Sequence, residues 1–258
     1  MTIDPSSLGN GSAPEWKATV VGHHRLRHDV AVIRLIGEYV PFLAGQSVEV
    51  RVPQHPGMRR RFSPALPPSL DGKLEFHVRT VPGGWCSGSI VTDTKPGDEW
   101  QIGAPLGTFN VDPYGDEVVL IAGGTGLAPM RAQILELARH EDPPPTYLFT
   151  GGRSPRDLYA DDMLFLLANE LPWLTVIPVI ESPEDPGWVD EWYEHSRVDI
   201  GFPLDDMLFG TLADVVASHG AFNNHQVLVC GSPNMVRVTL DRLVETGTSP
   251  AAIQFEGL

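Results

Sequence analysis

The sequence predicts two lobes in series, an antiparallel β-barrel followed by a parallel, doubly wound α/β sheet. Three observations carry this. Residues 14–112 hold short runs with β-branched residues and partial alternation, separated by Pro and Gly clusters, the pattern of an antiparallel barrel. Residues 113–258 alternate short apolar runs with helical patterns, as successive βαβ units do. The charge changes at the same place. Residues 1–112 hold 11 Lys+Arg against 11 Asp+Glu, whereas 113–258 hold 7 against 22, so the whole net charge of −15 sits in the second half. A chain of 258 residues that is 42% hydrophobic can build two modest cores.

Taken in order, residues 1–13 are polar and rich in Ser, Gly and Pro and read as a disordered N-terminal arm. Strands follow at 19–21, 30–35, 47–52 and 74–79. Pro41, Gly45, Pro53, Pro56-Gly57, Pro67-Pro68, Asp71-Gly72, Pro82-Gly83-Gly84 and Pro96-Gly97 punctuate them. A short helix fits at 88–92, and the lobe boundary falls near 112–115. In the second lobe, strands are expected at 118–122, 146–150, 174–180, 226–230 and 252–256, five in all. Helices are expected at 129–140, 157–170, 211–219 and 233–246. The run 118–122 is apolar without alternation, as a strand buried on both faces reads. The connection 181–209 is unusually long and carries Trp188, Trp192, Tyr193, Phe202 and Phe209 among nine acidic residues. It reads either as a docking surface for a basic or amphipathic acceptor protein or as a loop packed on its own sheet.

Composition excludes several classes. The longest apolar run is six residues, 163–168, too short for a transmembrane helix, and no signal-peptide core follows Met1. Two cysteines, Cys86 and Cys230, indicate no disulfide framework, suit the cytoplasm, and fall short of the four ligands of a plant-type [2Fe–2S] cluster. The acidity argues against a nucleic-acid partner. His23, His24 and His28 cluster without other ligands beside them, so no metal site is assigned.

Four motifs carry chemistry. Arg60-Arg61-Phe62-Ser63 ends a barrel strand within the densest positive cluster, and Arg offers a bidentate fork to phosphate. Pro82-Gly83-Gly84-Trp85-Cys86-Ser87 precedes the short helix. Gly123-Gly124-Thr125-Gly126 runs from a strand towards a helix near Pro129, and Cys230-Gly231-Ser232-Pro233 ends the fourth strand and opens a helix. A glycine turn at a helix start presents bare backbone N–H groups and a positive helix end to an anion. Each motif alone is also compatible with an ordinary turn, and Cys230 with a small buried hydrophobe.

In this order and spacing, together with Gly97-Asp98 to Phe109, the motifs resemble the ferredoxin–NADP reductase superfamily from about residue 15 onward. Thr150-Gly151-Gly152-Arg153, Asp157-Leu158-Tyr159 and Cys230 to Met235 are similar to the NADH-dependent reductase modules of bacterial monooxygenases and flavohaemoglobins. The resemblance implies a Greek-key barrel that binds FAD and an α/β domain that binds NAD, with NADH preferred and NADPH possible. It implies that Arg60, with Arg61 beside it, contacts the FAD pyrophosphate, that Phe62 packs on the isoalloxazine and that Ser63 lies near flavin N5. His77 and Arg79 are implied along the adenylate and ribityl side. Gly84, Trp85, Cys86 and Ser87 form the second half of the FAD site, with backbone donors from Gly84, Cys86 and Ser87. Gly124, Thr125 and Gly126 are implied at the NAD pyrophosphate, with Gly231, Ser232 and Pro233 in the same site, and Arg153 and Arg156 where a 2′-phosphate would sit. Ser63, Cys230 and Glu256 form the implied catalytic set, Cys230 facing the nicotinamide. Two departures stand out: Phe62 replaces the commoner Tyr, and Leu258 stands where relatives often place an aromatic over the flavin.

The implied activity is hydride transfer from NADH to FAD, then electron release to a separate redox protein. The alternatives are an NAD(P)H:flavin reductase and a non-catalytic flavin-binding electron-relay subunit.

Overall fold

The computed structural model describes residues 14–184 and 201–257. The expected arm 1–13, the residues Trp188, Trp192 and Tyr193, and Leu258 lie outside the described residues.

The first lobe is a six-stranded antiparallel sheet built from β1 (Trp16–Arg27), β2 (Val30–Gly37), β3 (Ser47–Arg51), β4 (Arg60–Phe62), β5 (Lys73–Arg79) and β6 (Glu99–Leu106), with helix α1 (Trp85–Asp93) between β5 and β6. The strand order is β4-β3-β6-β1-β2-β5, so β6 returns to lie between β3 and β1, the crossover of a Greek key. The two outer strands approach one another where the Ala65 N–H donates to the Glu75 carbonyl at 2.8 Å. Phe76 and Trp100 stack at 5.9 Å in the centre of this lobe. The sequence reading missed β6, whose run Glu-Trp-Gln-Ile-Gly-Ala-Pro-Leu contains a Gly and a Pro. Only Trp100, Ile102 and Gly103 of it are buried, and pairing to β1 and β3 rather than composition makes it a strand.

On β5 the pleat decides the architecture. Leu74, Phe76 and Val78 point into the barrel core, and the alternate residues Glu75, His77 and Arg79 point to the other side. Yet Leu74 to Val78 are all buried, because the second lobe covers that other side.

The second lobe is a parallel sheet of order β10-β9-β8-β7-β11-β12, from β7 (Glu117–Gly123), β8 (Thr146–Gly152), β9 (Leu174–Ile180), β10 (Leu208–Phe209), β11 (His225–Cys230) and β12 (Ile253–Glu256). Helices α2 (Leu127–Leu137), α3 (Asp161–Glu170), α4 (Leu212–Ser218) and α5 (Pro233–Glu245) cover both faces. Val118, Leu120 and Ala122 of β7 pack with α2 and α3, and Val119 and Ile121 with α4 and α5, which is why the run lacks alternation. The sequence reading had five strands; the sixth, β10, is two residues long and pairs with the end of β9, too short to register as a pattern. It belongs to the long connection, as does Phe202, whose ring meets Phe165 at 5.4 Å. Helix α2 starts two residues before Pro129, which therefore sits in the first turn, where its missing donor costs nothing.

Ile121 is fully buried at the centre of the sheet. Ile121→Ala is expected to lower the unfolding free energy by about 2–5 kcal/mol, read as a shift of the denaturant midpoint at unchanged slope.

Candidate active site

Two hollows adjoin where the lobes meet. The smaller, of about 440 Å³, is lined by Arg60, Arg61, Phe62, Gly84, Trp85, Cys86 and Ser87. The larger, of about 970 Å³, is lined by Phe62, Ser63, Gly123 to Gly126, and Cys230 to Met235. Arg61, Phe62, Arg79 and Val81 border both, so the two hollows adjoin along these four residues at the lobe junction.

The barrel end is an array of donors. No side chain caps α1, so its first backbone N–H groups lack a side-chain acceptor beside the hollow that Trp85 to Ser87 line. The Gly84 N–H, expected as a ligand donor, donates instead to the Val81 carbonyl at 2.7 Å. Ser87 Oγ donates to the Gly84 carbonyl at 3.1 Å and accepts from the Val81 N–H at 3.0 Å, which locks the turn. Gly83 holds φ +74 in that turn. Arg60 and Arg61 extend from β4 with exposed side chains. Trp85 is exposed at the rim, edge-on to His55 at 4.5 Å. The Cys86 side chain is buried in the barrel core and faces away from the hollow's opening.

The sheet end is built by three strands that finish together. Cys230 of β11 lies opposite Ala122 of β7 and Glu256 of β12, and ligands of open α/β sheets sit outside such carboxyl ends. Residues Gly124–Gly126 form a 3₁₀ turn, with Gly124 at φ +54. A Cβ at Gly126 would overlap the Cys230 carbonyl, so only glycine lets this turn lie against the end of β11. Ser232 caps α5 by accepting the Met235 N–H, with Pro233 in the first turn. Gly123, Gly124, Thr125, Gly126, Cys230, Gly231, Ser232 and Pro233 thus share one wall.

Across the cleft, Ser63 Oγ donates to Glu256 Oε2 at 3.0 Å, a bond between lobes. Burial raises the Glu256 pKa, against the opposing pull of the Ser63 hydrogen bond and the Arg61 charge. Cys230 is buried, and burial with the nearby Glu256 carboxylate pushes its thiol up to about 12. It is therefore a neutral thiol at pH 7, part of the sheet's core and of the cleft wall at once.

His77 and Arg79 face the lobe interface. His77 Nδ1 lies 2.7 Å from Tyr159 Oη, and Nε2 lies 3.1 Å from Glu75 Oε1. Burial lowers the His77 pKa and raises that of Tyr159. A neutral imidazole beside a carboxylate then has one consistent arrangement: Nε2–H donates to Glu75 and Tyr159 O–H donates to Nδ1. Glu75 also accepts from Arg34 at 2.7 Å and from Arg131 of α2 at 2.9 Å. Burial opposes its ionisation, but the bonds from His77 and Arg34 and the charge of Arg131 outweigh burial and hold its pKa at about 2. Arg79 donates to Asp29 and Asp157, each at 3.1 Å. Arg27 reaches Asp157 at 3.0 Å and the Arg156 carbonyl at 2.7 Å. Arg153 borders the cleft with an exposed side chain, its N–H donating to Asp157 at 3.2 Å. Arg156 is not among the residues lining the cleft.

The sequence reading missed Glu75, Arg131, Asp157 and Tyr159 as interface groups. The signal lay in Lys73-Leu-Glu-Phe-His-Val-Arg79, whose alternation leaves Glu75, His77 and Arg79 on one face of a strand.

A barrel with an arginine and helix-start anion site, joined at a cleft to a glycine-turn parallel sheet, defines a two-domain dinucleotide oxidoreductase. Residues 17–111 match the oxidoreductase FAD-binding domain and residues 120–241 the oxidoreductase NAD-binding domain. The chain is 33% identical over 246 residues to the reductase subunit of an aromatic O-demethylase from Amycolatopsis sp., covering 93% of this chain and 68% of that protein. It is 32% identical over 210 residues to the reductase component of phenol 2-monooxygenase from Pseudomonas sp., covering 80% of this chain and 54% of that protein. A solved cytochrome P450 reductase of Amycolatopsis superposes with a TM-score of 0.76 at 30% identity, over 98% of this chain and 73% of that one. The chain belongs to the ferredoxin–NADP reductase superfamily. It spans 54% of the phenol 2-monooxygenase component and 65% of a phenol hydroxylase protein from Acinetobacter pittii. No helix among the described residues is long and apolar enough to cross a membrane.

Two outcomes test this geometry. Gly126→Ala must part the turn from β11, and is expected to weaken NAD⁺ binding by about tenfold or more, equivalent to about 1.4 kcal/mol, measured by calorimetric titration. Glu75 has a depressed pKa, so its stabilising contribution is complete above the ordinary 4.5 and is lost as pH falls towards about 2. Glu75→Gln is therefore expected to be less stable than wild type at pH 7, with the gap closing between pH 4.5 and pH 2 in urea unfolding.

Proposed function

We propose that the protein is an NADH-dependent FAD reductase that delivers electrons to a separate redox protein, an oxygenase or ferredoxin component. The observation that carries this is the pair of adjoining hollows: a donor array lines each, and Arg61, Phe62, Arg79 and Val81 border both. Two nucleotides anchored by their phosphates at opposite ends bring their reactive rings together in the middle. Relatives that are reductase components of aromatic monooxygenases and demethylases support the same reading.

The residues fit FAD at the barrel end. Arg60 and Arg61 supply charge-assisted donors, and the uncapped start of α1 supplies backbone N–H groups to a pyrophosphate. Phe62 offers an apolar face, and it brings no hydroxyl for the ribityl chain. The glycine turn fits the NAD pyrophosphate, since a Cβ at Gly124 would press on the Arg79 guanidinium at 3.0 Å. When bound, the flavin accepts a hydride and releases single electrons. The protein's part is placement. Ser63 Oγ donates to Glu256 Oε2 across the junction, and burial shifts the Glu256 carboxyl towards its protonated form, so this pair is the proton-holding group between the lobes. The neutral Cys230 thiol offers an uncharged wall for a nicotinamide.

The far end of the cleft favours NADH. Glu181 and Asp214 border it together with Arg153, and the Glu181 carboxylate opposes a 2′-phosphate. Arg242, which also borders it, is already paired with Asp214 at 3.1 Å. Both cysteines are free and buried, and we place the protein in the cytoplasm. Anaerobic titration of the yellow protein is expected to show full flavin bleaching by NADH, with kcat/KM about tenfold or more above that for NADPH, a margin of about 1.4 kcal/mol. Flavin that NADH leaves oxidised would refute the reading; flavin lost on dialysis would mark a flavin reductase instead.

A further inference from the structure

The lobes are joined by residues 107–116, between the end of β6 and the start of β7. Joining segments of this kind usually run free over the surface. Here glutamine side chains grip the backbone. Gln133 of α2 accepts from the Val111 N–H at 2.8 Å and donates to the Phe109 carbonyl at 3.1 Å. Gln254 of β12 accepts from the Asn110 N–H at 3.2 Å and donates to its carbonyl at 3.0 Å. Gln226 of β11 accepts from the Asp112 N–H at 2.7 Å and donates to the carbonyls of Asp112 and Asp116, both at 2.9 Å. A carboxamide carries one acceptor and a donor group side by side, so each glutamine pairs with the segment as a neighbouring strand would.

The same segment is wedged from both sides. Phe109 and Val111 are buried in the core of the second lobe. On the barrel side, Gln46 donates to the Gly107 carbonyl at 2.8 Å. A Cβ at Gly45, where φ is +93, would overlap the Phe109 carbonyl and lie 2.5 Å from Gln133 Nε2. Barrel loop, joining segment and α2 therefore meet with no room for a methyl group.

The three elements that supply these glutamines are those that build the sheet end of the cleft. Helix α2 follows the Gly124–Gly126 turn. Gln226 is four residues before Cys230 on β11, and Gln254 is two residues before Glu256 on β12. We propose that Gln133, Gln226 and Gln254 are positioning residues for the hydride step: they fix the angle between the lobes, and with it the placement of Cys230 and Glu256 against Ser63. This rests on the proposed function, because only a reaction between two cofactors held by different lobes depends on that angle. A misplacement of about 1 Å between reacting groups costs about a hundredfold in rate.

The test uses the full-length, flavin-loaded protein. Gln226 and Gln254 are only half-buried, so Gln226→Met and Gln254→Met keep the side-chain length without removing a core residue. The rate of anaerobic flavin bleaching at saturating NADH is expected to fall by about tenfold or more, while flavin content stays at the wild-type level and half-saturating NADH moves by less than about twofold. Spin labels on Lys95→Cys and Asp241→Cys, one exposed site per lobe, are expected to show a broader distance distribution in both variants. An unchanged distance distribution overturns the proposal, whether or not the rate falls, and so does an unchanged rate. A wild-type protein that NADH fails to reduce overturns the proposed function instead. The label distances need no nicotinamide, so they then decide by themselves whether the glutamines hold the lobes.

Discussion

The two-residue period of β5 is the constraint on which the rest of the molecule depends. Leu74, Phe76 and Val78 complete the barrel core, while Glu75, His77 and Arg79 meet the second lobe. A slip of one residue would exchange these sets, putting a carboxylate and an imidazole into the core and three apolar side chains against Arg131 and Asp157. The register is pinned along the whole strand, from Val30 opposite Arg79 to Ile36 opposite Lys73. That pinning also fixes which barrel groups the second lobe can meet, and hence where the cleft opens.

The interface so defined is polar, buried and fully connected around Glu75. Three cationic or hydrogen-donating groups converge on its two oxygens. Desolvation of such a group is costly, and buried ion pairs are weak evidence for stability. Their other effect is directional. An apolar interface tolerates sliding, whereas the Arg131–Glu75–His77–Tyr159 chain is satisfied at one placement of the lobes only. The Ser63–Glu256 bond and the Arg27–Asp157–Arg79 cluster lie at other points of the same junction, so rotation about any one contact strains the other two.

Much of this was legible in the sequence where the signal is local. Glycine turns after apolar runs announced the ends of β7 and β11, because the chemistry of a tight strand-to-helix turn is written in consecutive residues. The parallel sheet was legible because strands buried on both faces lack alternation. The two strands that escaped, β6 and β10, owe their strand character to partners rather than composition. The interface was harder still: Tyr159 and His77 are 82 positions apart, and neither residue signals the other. The joining segment was read only as a boundary. Nothing in Gln133, Gln226 or Gln254 distinguishes them from surface glutamines until the fold brings them onto one stretch of backbone.

The placement of charge sharpens what the cleft must do. The second half carries the whole net charge of −15, so a pyrophosphate approaching that lobe meets an unfavourable long-range field. Salt limits that field to about 8 Å at physiological ionic strength, and within that range the cleft is differently composed. Its sheet end offers the backbone of Gly124, Thr125 and Gly126 and the start of α5, where the Ser232 side chain takes the Met235 N–H. Two of the arginines that border the larger hollow are already paired. Arg79 is committed to Asp29 and Asp157, and Arg242 to Asp214 and Glu245. At the barrel end Arg60 donates, among the described residues, to the neighbouring Arg59 carbonyl, and residues 1–112 carry no net charge. The division of labour follows from this. On the proposed function, the barrel would hold its nucleotide by the charge of Arg60 and Arg61, as a resident group requires. On the same proposal, the sheet would hold its nucleotide chiefly by peptide dipoles, with Arg153 at the cleft border, as suits a substrate that must leave after each turnover.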